Sequence, residues 1–135
     1  MGCGRVGATL ARSLSDLGHD VAVIDMDPTS FRRLGSSFEG RTITGMGFDR
    51  GVLVAAGIRE AYAFAAVSSG DNSNILAARV ARETFGVEHV AARIYDPRRA
   101  AVYQRLGIPT VATVRWTADQ IIHRLLPTGS VPAFT

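Results

Sequence analysis

The chain has 135 residues and a mass of 14.4 kDa, the size of one domain, and its 47% apolar and 20% charged residues are those of an ordinary folded protein. Its longest plain apolar run, Ala61 to Val67, falls far short of the roughly 20 residues that span a bilayer, and a single cysteine makes neither an internal disulfide nor a cysteine-only metal site. The net charge is +3 and every one of the 15 basic residues is arginine, which excludes the lysine of a phosphate-binding P-loop and the lysine of Schiff-base chemistry.

Short β-type apolar runs alternate with helix-type patterns along the whole chain, which predicts a parallel sheet covered by helices. Val6, Leu10, Leu14 and Leu17 recur at helical spacing and stop at Gly18, a natural C-terminal cap, which predicts the first helix. Val21 to Ile24 reads as a buried strand closed by Asp25, and Pro28 suits the first turn of a short helix through Leu34. Arg41 to Thr44 is a short strand, and Asp49 to Ala56 a helix ending at Gly57. Ala61 to Val67 is the next strand. Ser68, Ser69, Gly70 and Asp71 then supply turn and capping chemistry for a helix through about Phe85, stopped by Gly86. His89 to Ile94 is a strand, and Asp96-Pro97 opens a helix that runs to Leu106 and ends at Gly107. Thr110 to Val114 is a last strand, and Trp116 to Leu126 a last helix with an apolar stripe of Ile121, Ile122, Leu125 and Leu126. From Pro127 the composition is that of a linker or tail, so the domain is expected over 1–126 and the tail over 127–135.

Gly2-Cys3-Gly4-Arg5-Val6-Gly7 matches G-x-G-x-x-G at the opening of the first helix, and Asp25 ends the following strand 18 residues after Gly7. In such a motif the first glycine permits a tight turn, the second lets backbone approach a pyrophosphate, and the third lets helix and strand pack closely. Free N–H groups at the helix N-terminus then face the phosphates. The acid accepts hydrogen bonds from the adenosine ribose, and its charge opposes a 2′-phosphate, which favours NAD or an adenine nucleotide over NADP. The motif should follow a strand, yet only Met1 precedes it. The expected fold is therefore a Rossmann-like, doubly wound, three-layer α/β sheet lacking its first strand, in a chain that begins downstream of that strand.

Beyond this motif, the runs V-A-V-I-D-M-D-P, G-M-G-F-D-R-G-V-L-V-A-A-G-I, F-A-A-V-S-S-G-D-N-S-N-I-L-A-A-R, A-A-R-I-Y-D-P and L-G-I-P-T-V resemble the N-terminal domain of the Trk/Ktr potassium-uptake regulators. That domain is also called the regulator-of-potassium-conductance (RCK) N-terminal or TrkA-N domain. The resemblance covers nearly the whole chain. It implies a cytoplasmic subunit, peripheral to the inner face of the membrane, that binds NAD or NADH, or alternatively ATP or ADP, and gates a membrane potassium-transporter subunit. It further implies a homo-oligomer, dimer or larger ring, with the last helix crossing to a partner subunit.

Carried over by residue, the resemblance places Gly2, Cys3, Gly4, Arg5, Val6 and Gly7 in the phosphate loop, with Arg5 reaching the phosphates, and Asp25 at the ribose. Met46 and Gly47 fall on the adenine side, although Met46 stands where relatives usually carry an aspartate. Ser68 and Ser69 face the second half of the ligand, and Arg93 closes the fifth strand of the family's sheet. Independently of the family, these positions follow parallel strands, whose carboxyl ends gather on the edge where open α/β folds bind ligands. Ser68 and Ser69 also suit helix capping, and Arg93 suits a pair with Asp96.

The remaining residue types carry less. His19, His89 and His123 lie apart without metal spacing, and the scattered arginines read as solvated faces, not a nucleic-acid patch. A redox switch at Cys3 would require a lowered thiol pKa. The chain leaves no room for a substrate domain beside the nucleotide fold, so a binding module is expected before the alternative of a small NAD-dependent oxidoreductase. A DNA-linked redox sensor is a third reading, and it predicts DNA affinity that falls steeply with salt.

Overall fold

A computed structural model describes residues 1–126; the expected tail at 127–135 lies outside the described residues. In chain order the elements are α1 (Arg5–Asp16), β1 (Ala22–Asp25), a 3-10 segment (Pro28–Leu34), β2 (Arg41–Thr44), α2 (Arg50–Ala55), a 3-10 turn (Ile58–Glu60) and β3 (Ala63–Ala66). They continue with α3 (Asp71–Arg79), a π-helical turn (Val80–Thr84), β4 (His89–Arg93), α4 (Pro97–Arg105), β5 (Thr110–Val111) and α5 (Thr113–Leu125). The last strand is shorter than the sequence predicts. Val111 ends it because Ala112 already serves as the N-cap of α5, so Thr113 and Val114 belong to the helix.

Local chemistry sets the boundaries. Asp27, Asp49 and Asp96 each accept a backbone N–H of the turn they open, from Thr29, Val52 and Arg98, at 3.0, 3.1 and 3.0 Å. Pro28 and Pro97 occupy the first helical positions, where a missing N–H costs nothing.

All strand pairs are parallel and form two sheets, β1-β2 and β3-β4-β5. Residues 1 and 2 join them at one end. The Met1 ammonium donates to Ala65 O at 2.8 Å, Val67 N–H donates to Met1 O at 2.8 Å, and Gly2 N–H donates to Ile24 O at 2.7 Å. The strand expected before the glycine motif is thus represented by Met1 and Gly2 alone among the described residues.

The pleat of β1 shows why there are three layers. Val23 points into a small cluster with Cys3, Ala8, Ala11 and Leu34, beneath α1 and the first 3-10 segment. Its neighbour Ile24 points the other way, into the main core with Leu53, Ile58, Phe64, Ile75, Val90 and Ile94. Alanines at 66, 77, 78, 81 and 92 have no accessible surface and let α3 lie close on β3 and β4.

The apolar stripe of α1 is not its buried face. The buried residues of α1 are Gly7, Ala8 and Ala11, while Val6 and Leu17 are exposed and Leu10 and Leu14 only half-buried. Of the stripe at the end of the chain, Ile121 and Leu125 of α5 and its C-cap Leu126 are exposed and Ile122 is half-buried, and Trp116 is exposed as well.

Candidate functional site

The carboxyl ends of β1, β2, β3 and β4 deliver Asp25, Gly45 to Gly47, Ser68 and Arg93 to one edge of the parallel array. Direct packing draws the loops together. Gly2, at φ +101°, lies so close to the loop after β3 that an added Cβ would meet Ser68 N at 2.6 Å. A Cβ on Gly7 would run into the carbonyl of Gly2, and one on Gly47 into the side chain of Met1. Gly4 differs: it has an ordinary negative φ, and a Cβ there would meet nothing within 4 Å.

Gly4 is the N-cap of α1 and offers no side chain to the helix, so the first-turn N–H groups point outward uncapped. Arg5 and Val6 are exposed beside them. These donors, the positive end of a 12-residue helix and an open approach over Gly4 fit an anionic phosphate group.

Asp25 anchors the opposite side of the loop. One carboxylate oxygen accepts Cys3 N–H at 2.7 Å and the other accepts Asp27 N–H at 2.9 Å. Each oxygen retains a lone pair, so the carboxylate can hold the loop and still accept from a ligand hydroxyl. Arg33, expected on a solvated face, donates from Nη1 to Cys3 O at 3.4 Å and brings a positive charge to the same loop.

The Cys3 side chain points away from the edge. It is fully buried, and its Sγ–H donates to Ser30 O at 3.4 Å. Burial first, and then the neighbouring Asp25 charge, push the thiol pKa up. The structure therefore opposes the redox-switch reading, and only the backbone of Cys3 belongs to the site.

Behind Ser68 and Arg93 is a clamp that no motif in the sequence marks. Asn74 has no accessible surface; its Oδ1 accepts Ser68 N–H at 2.9 Å and Ser68 Oγ–H at 2.6 Å, and its Nδ2 donates to Ser68 O at 2.9 Å and Arg93 O at 2.8 Å. One turn earlier, Asp71 accepts Tyr95 N–H at 2.8 Å and Asp96 N–H at 3.1 Å. The one sequence signal was an amide among the small apolar residues of α3, on the face that packs against the strands. Ser68 consequently braces the loop and does not cap α3, whose N-cap is Gly70.

Ser69 and Met46 are exposed. Arg93 does not pair with Asp96: its guanidinium lies 4.3 Å from the centre of the Tyr95 ring, and its Nε is buried without a protein acceptor. Among the described residues there is no cluster of three or more metal-ligating side chains, and no helix is long and apolar enough to cross a membrane.

Parallel strands separated by helices, with a glycine loop and an acid on their carboxyl edge, define a Rossmann-like α/β domain. Residues 1–114 match the TrkA-N domain family, and the chain belongs to that family. It is 77% identical over 132 residues to the Trk system potassium uptake protein TrkA of Streptomyces coelicolor, covering 98% of this chain and 59% of the relative. It is 37% identical over 106 residues to a TrkA homolog of Pyrococcus abyssi, covering 78% of this chain and 47% of that one. The chain thus spans about half the length of these relatives. Among solved structures, the TrkA-N domain of inner membrane protein ybaL from Escherichia coli superposes with a TM-score of 0.78 at 21% identity, covering 92% of each chain. The AMP-bound Kef C-terminal domain of Shewanella denitrificans superposes at 0.77 with 23% identity, over 96% of this chain and 79% of the other. At these identities the superpositions speak for the fold alone.

Proposed function

We propose that this chain is the nucleotide-binding regulatory unit of a Trk-type potassium-uptake system, and that its ligand is NAD or NADH, or alternatively ATP or ADP. The observation that carries this is the contrast among the glycines: Gly2 and Gly7 are locked by contact, whereas Gly4 opens onto free space over the uncapped start of α1. The names of the Trk relatives, the AMP in the Kef domain and the NAD(P)-binding description of an Archaeoglobus fulgidus domain with TM-score 0.73 support the same reading.

In this proposal the backbone of Gly2, Cys3 and Gly4 and the N–H groups of Arg5 and Val6 hold phosphate. Gly7 keeps α1 against the loop, and Asp25 accepts from the ribose. Met46 and Gly47 flank the base, the exposed Met46 side chain offering it apolar contact. Ser68, Ser69 and Arg93 face the far half of the ligand. A ligand held so shifts the domain between conformations by its difference in affinity, typically about 1 to 3 kcal/mol, and that difference gates a membrane potassium-transporter subunit. The chain would work at the cytoplasmic face of the membrane without inserting into it. The exposed stripe of α5 suits contact with another copy in a homo-oligomer. The role proposed is one of binding and not catalysis.

The test is a thermal unfolding scan of the chain alone and with NAD, NADH, ADP and ATP in turn. A ligand at 100 times its Kd adds about 2.7 kcal/mol, enough to raise the midpoint by several degrees. No shift with any of the four overturns the proposal, and steady NADH turnover with a carbonyl compound would favour a dehydrogenase instead.

A further inference from the structure

Between α2 and the π-helical turn that follows α3 lies an open cleft of about 470 Å³, lined by Arg50, Gly51, Val54, Arg59, Thr84 and Phe85. The chain builds it from both sides. Arg50 and Val54 stand one turn apart on α2 and so share a face. Gly57, at φ +92°, then redirects the backbone so that Arg59 of the 3-10 turn returns to the same cleft. On the opposite wall the π-helical turn closes with Phe85 N–H donating to Val80 O at 3.3 Å. The half-buried Phe85 packs on the main core and also borders the cleft.

Two features of this lining serve nothing inside the chain. Arg50 and Arg59 are exposed, and among the described residues neither guanidinium makes an ion pair or a hydrogen bond, whereas Arg79 pairs with Glu83 and Arg12, Arg33 and Arg41 each donate to a backbone carbonyl. Gly51 has ordinary helical backbone, at a position where alanine would favour the helix. A Cβ there would meet nothing nearer than the Asp49 carboxylate at 3.2 Å, so the fold does not require this glycine, and its missing side chain keeps the cleft open.

We propose that the cleft docks an acidic segment of a partner protein, with an apolar side chain seated between Val54 and Phe85 and a carboxylate on each of Arg50 and Arg59. Arginine suits this task because its planar fork takes a carboxylate through two parallel hydrogen bonds while its stem adds apolar contact. Thr84 offers a hydroxyl to the segment, and Gly51 lets partner backbone come close to α2. A polyanion fits worse. Nucleic acid or an anionic membrane calls for a continuous basic surface, and here Glu60 and Glu83 adjoin Arg59 and Thr84 in the chain. Residues 127–135 hold neither Asp nor Glu and do not supply the carboxylates. This inference is independent of the nucleotide reading.

The experiment titrates the isotope-labelled 135-residue chain with the peptide acetyl-Glu-Asp-Leu-Phe-Asp-Glu-amide and follows backbone amide shifts, beside a second peptide in which Gln and Asn replace the acids. The first peptide is expected to move the amides of Gly51, Val54 and Phe85, and the second to leave them in place. Arg50→Gln and Arg59→Gln should each weaken binding about fivefold, as for an exposed ion pair, while Arg98→Gln removes the same charge from α4 and should change nothing. Gly51→Leu fills the cleft and should abolish binding with the unfolding midpoint retained. No shift at the three amides in millimolar peptide overturns the proposal, as does undiminished binding by Gly51→Leu. Equal weakening by Arg98→Gln marks diffuse charge attraction and overturns it too. Shifts confined to Gly4, Arg5 and Val6 would mean capture by the glycine loop instead. A thymidine oligonucleotide that moves the same three amides more tightly than the peptide, or concentration-dependent shifts there without peptide, would assign the cleft to nucleic acid or to a second copy and overturn the acidic-segment assignment.

Discussion

The Asp25 carboxylate accepts the backbone N–H of Cys3 at 2.7 Å and so ties the end of β1 to the glycine loop. Under the proposed function one residue thereby has two duties, since the acid proposed to meet a ribose is also the clasp that holds the glycine loop in shape. Asp25→Asn keeps the shape and loses the charge and one acceptor. It is expected to destabilise the chain by about 1.5 to 3 kcal/mol, as for a hydrogen bond to a charged group, and to weaken nucleotide binding beyond what that loss explains. Urea unfolding with and without nucleotide separates the two effects; unchanged stability would show that the clasp contributes nothing.

The glycines of the loop should divide sharply when each is changed to alanine. Gly7→Ala drives a methyl group into the Gly2 carbonyl and is expected to cost several kcal/mol or to prevent folding, because backbone cannot step aside as a side chain can. Gly4→Ala meets nothing in the protein, so stability should change by less than about 1 kcal/mol while nucleotide affinity falls. Circular dichroism melts and a nucleotide titration of the two variants check this. Equal loss of stability in both would refute the division.

Asn74→Ala leaves Ser68 N–H, Ser68 O and Arg93 O without their buried partner. At about 1 to 3 kcal/mol for each group so stranded, partly relieved by water, a loss of roughly 3 kcal/mol is expected in urea unfolding. A loss below about 1 kcal/mol would mean that the loops after β3 and β4 are held by something else.

For the 135-residue chain itself, stability should also depend on pH through the Met1 amino group. Its pKa is lowered from 8.0 to about 6, chiefly by burial and against the pull of the Asp25 charge. Between these values the unfolded chain binds more protons than the folded one, so stability rises as pH goes from about 6 to 8 and falls on acidification through that window. A two-unit displacement corresponds to about 3 kcal/mol. Unfolding free energies at pH 6 and pH 8, compared with those of the N-terminally acetylated chain, isolate the contribution of this group. A pH dependence that survives acetylation would assign it elsewhere.

Much of this molecule is legible in its residues one by one. The turn chemistry of Asp27-Pro28, Asp49 and Asp96-Pro97 fixes where helical segments start, and short apolar runs fix β1 to β4, because capping and pleating depend on neighbours in sequence. The spacing from Gly2 to Gly7 and on to Asp25 likewise located the candidate site, since strand, turn and helix lengths translate directly into position along a parallel sheet. What a side chain touches across the fold was not legible. Periodicity places Val6, Leu10, Leu14 and Leu17 on one helical stripe, but which face of α1 is buried depends on the strands packed beneath it, and those strands bury Gly7, Ala8 and Ala11 instead. Nothing near Asn74 in sequence shows that it closes on Ser68 and Arg93, and nothing near Cys3 shows that its thiol turns inward to Ser30 while its backbone serves the loop. The sequence by itself determined the elements, their order and the sheet edge at which the glycine loop and Asp25 meet. Tertiary structure alone decided which buried polar groups find partners, because those partners lie on other strands and helices and meet only when the layers close.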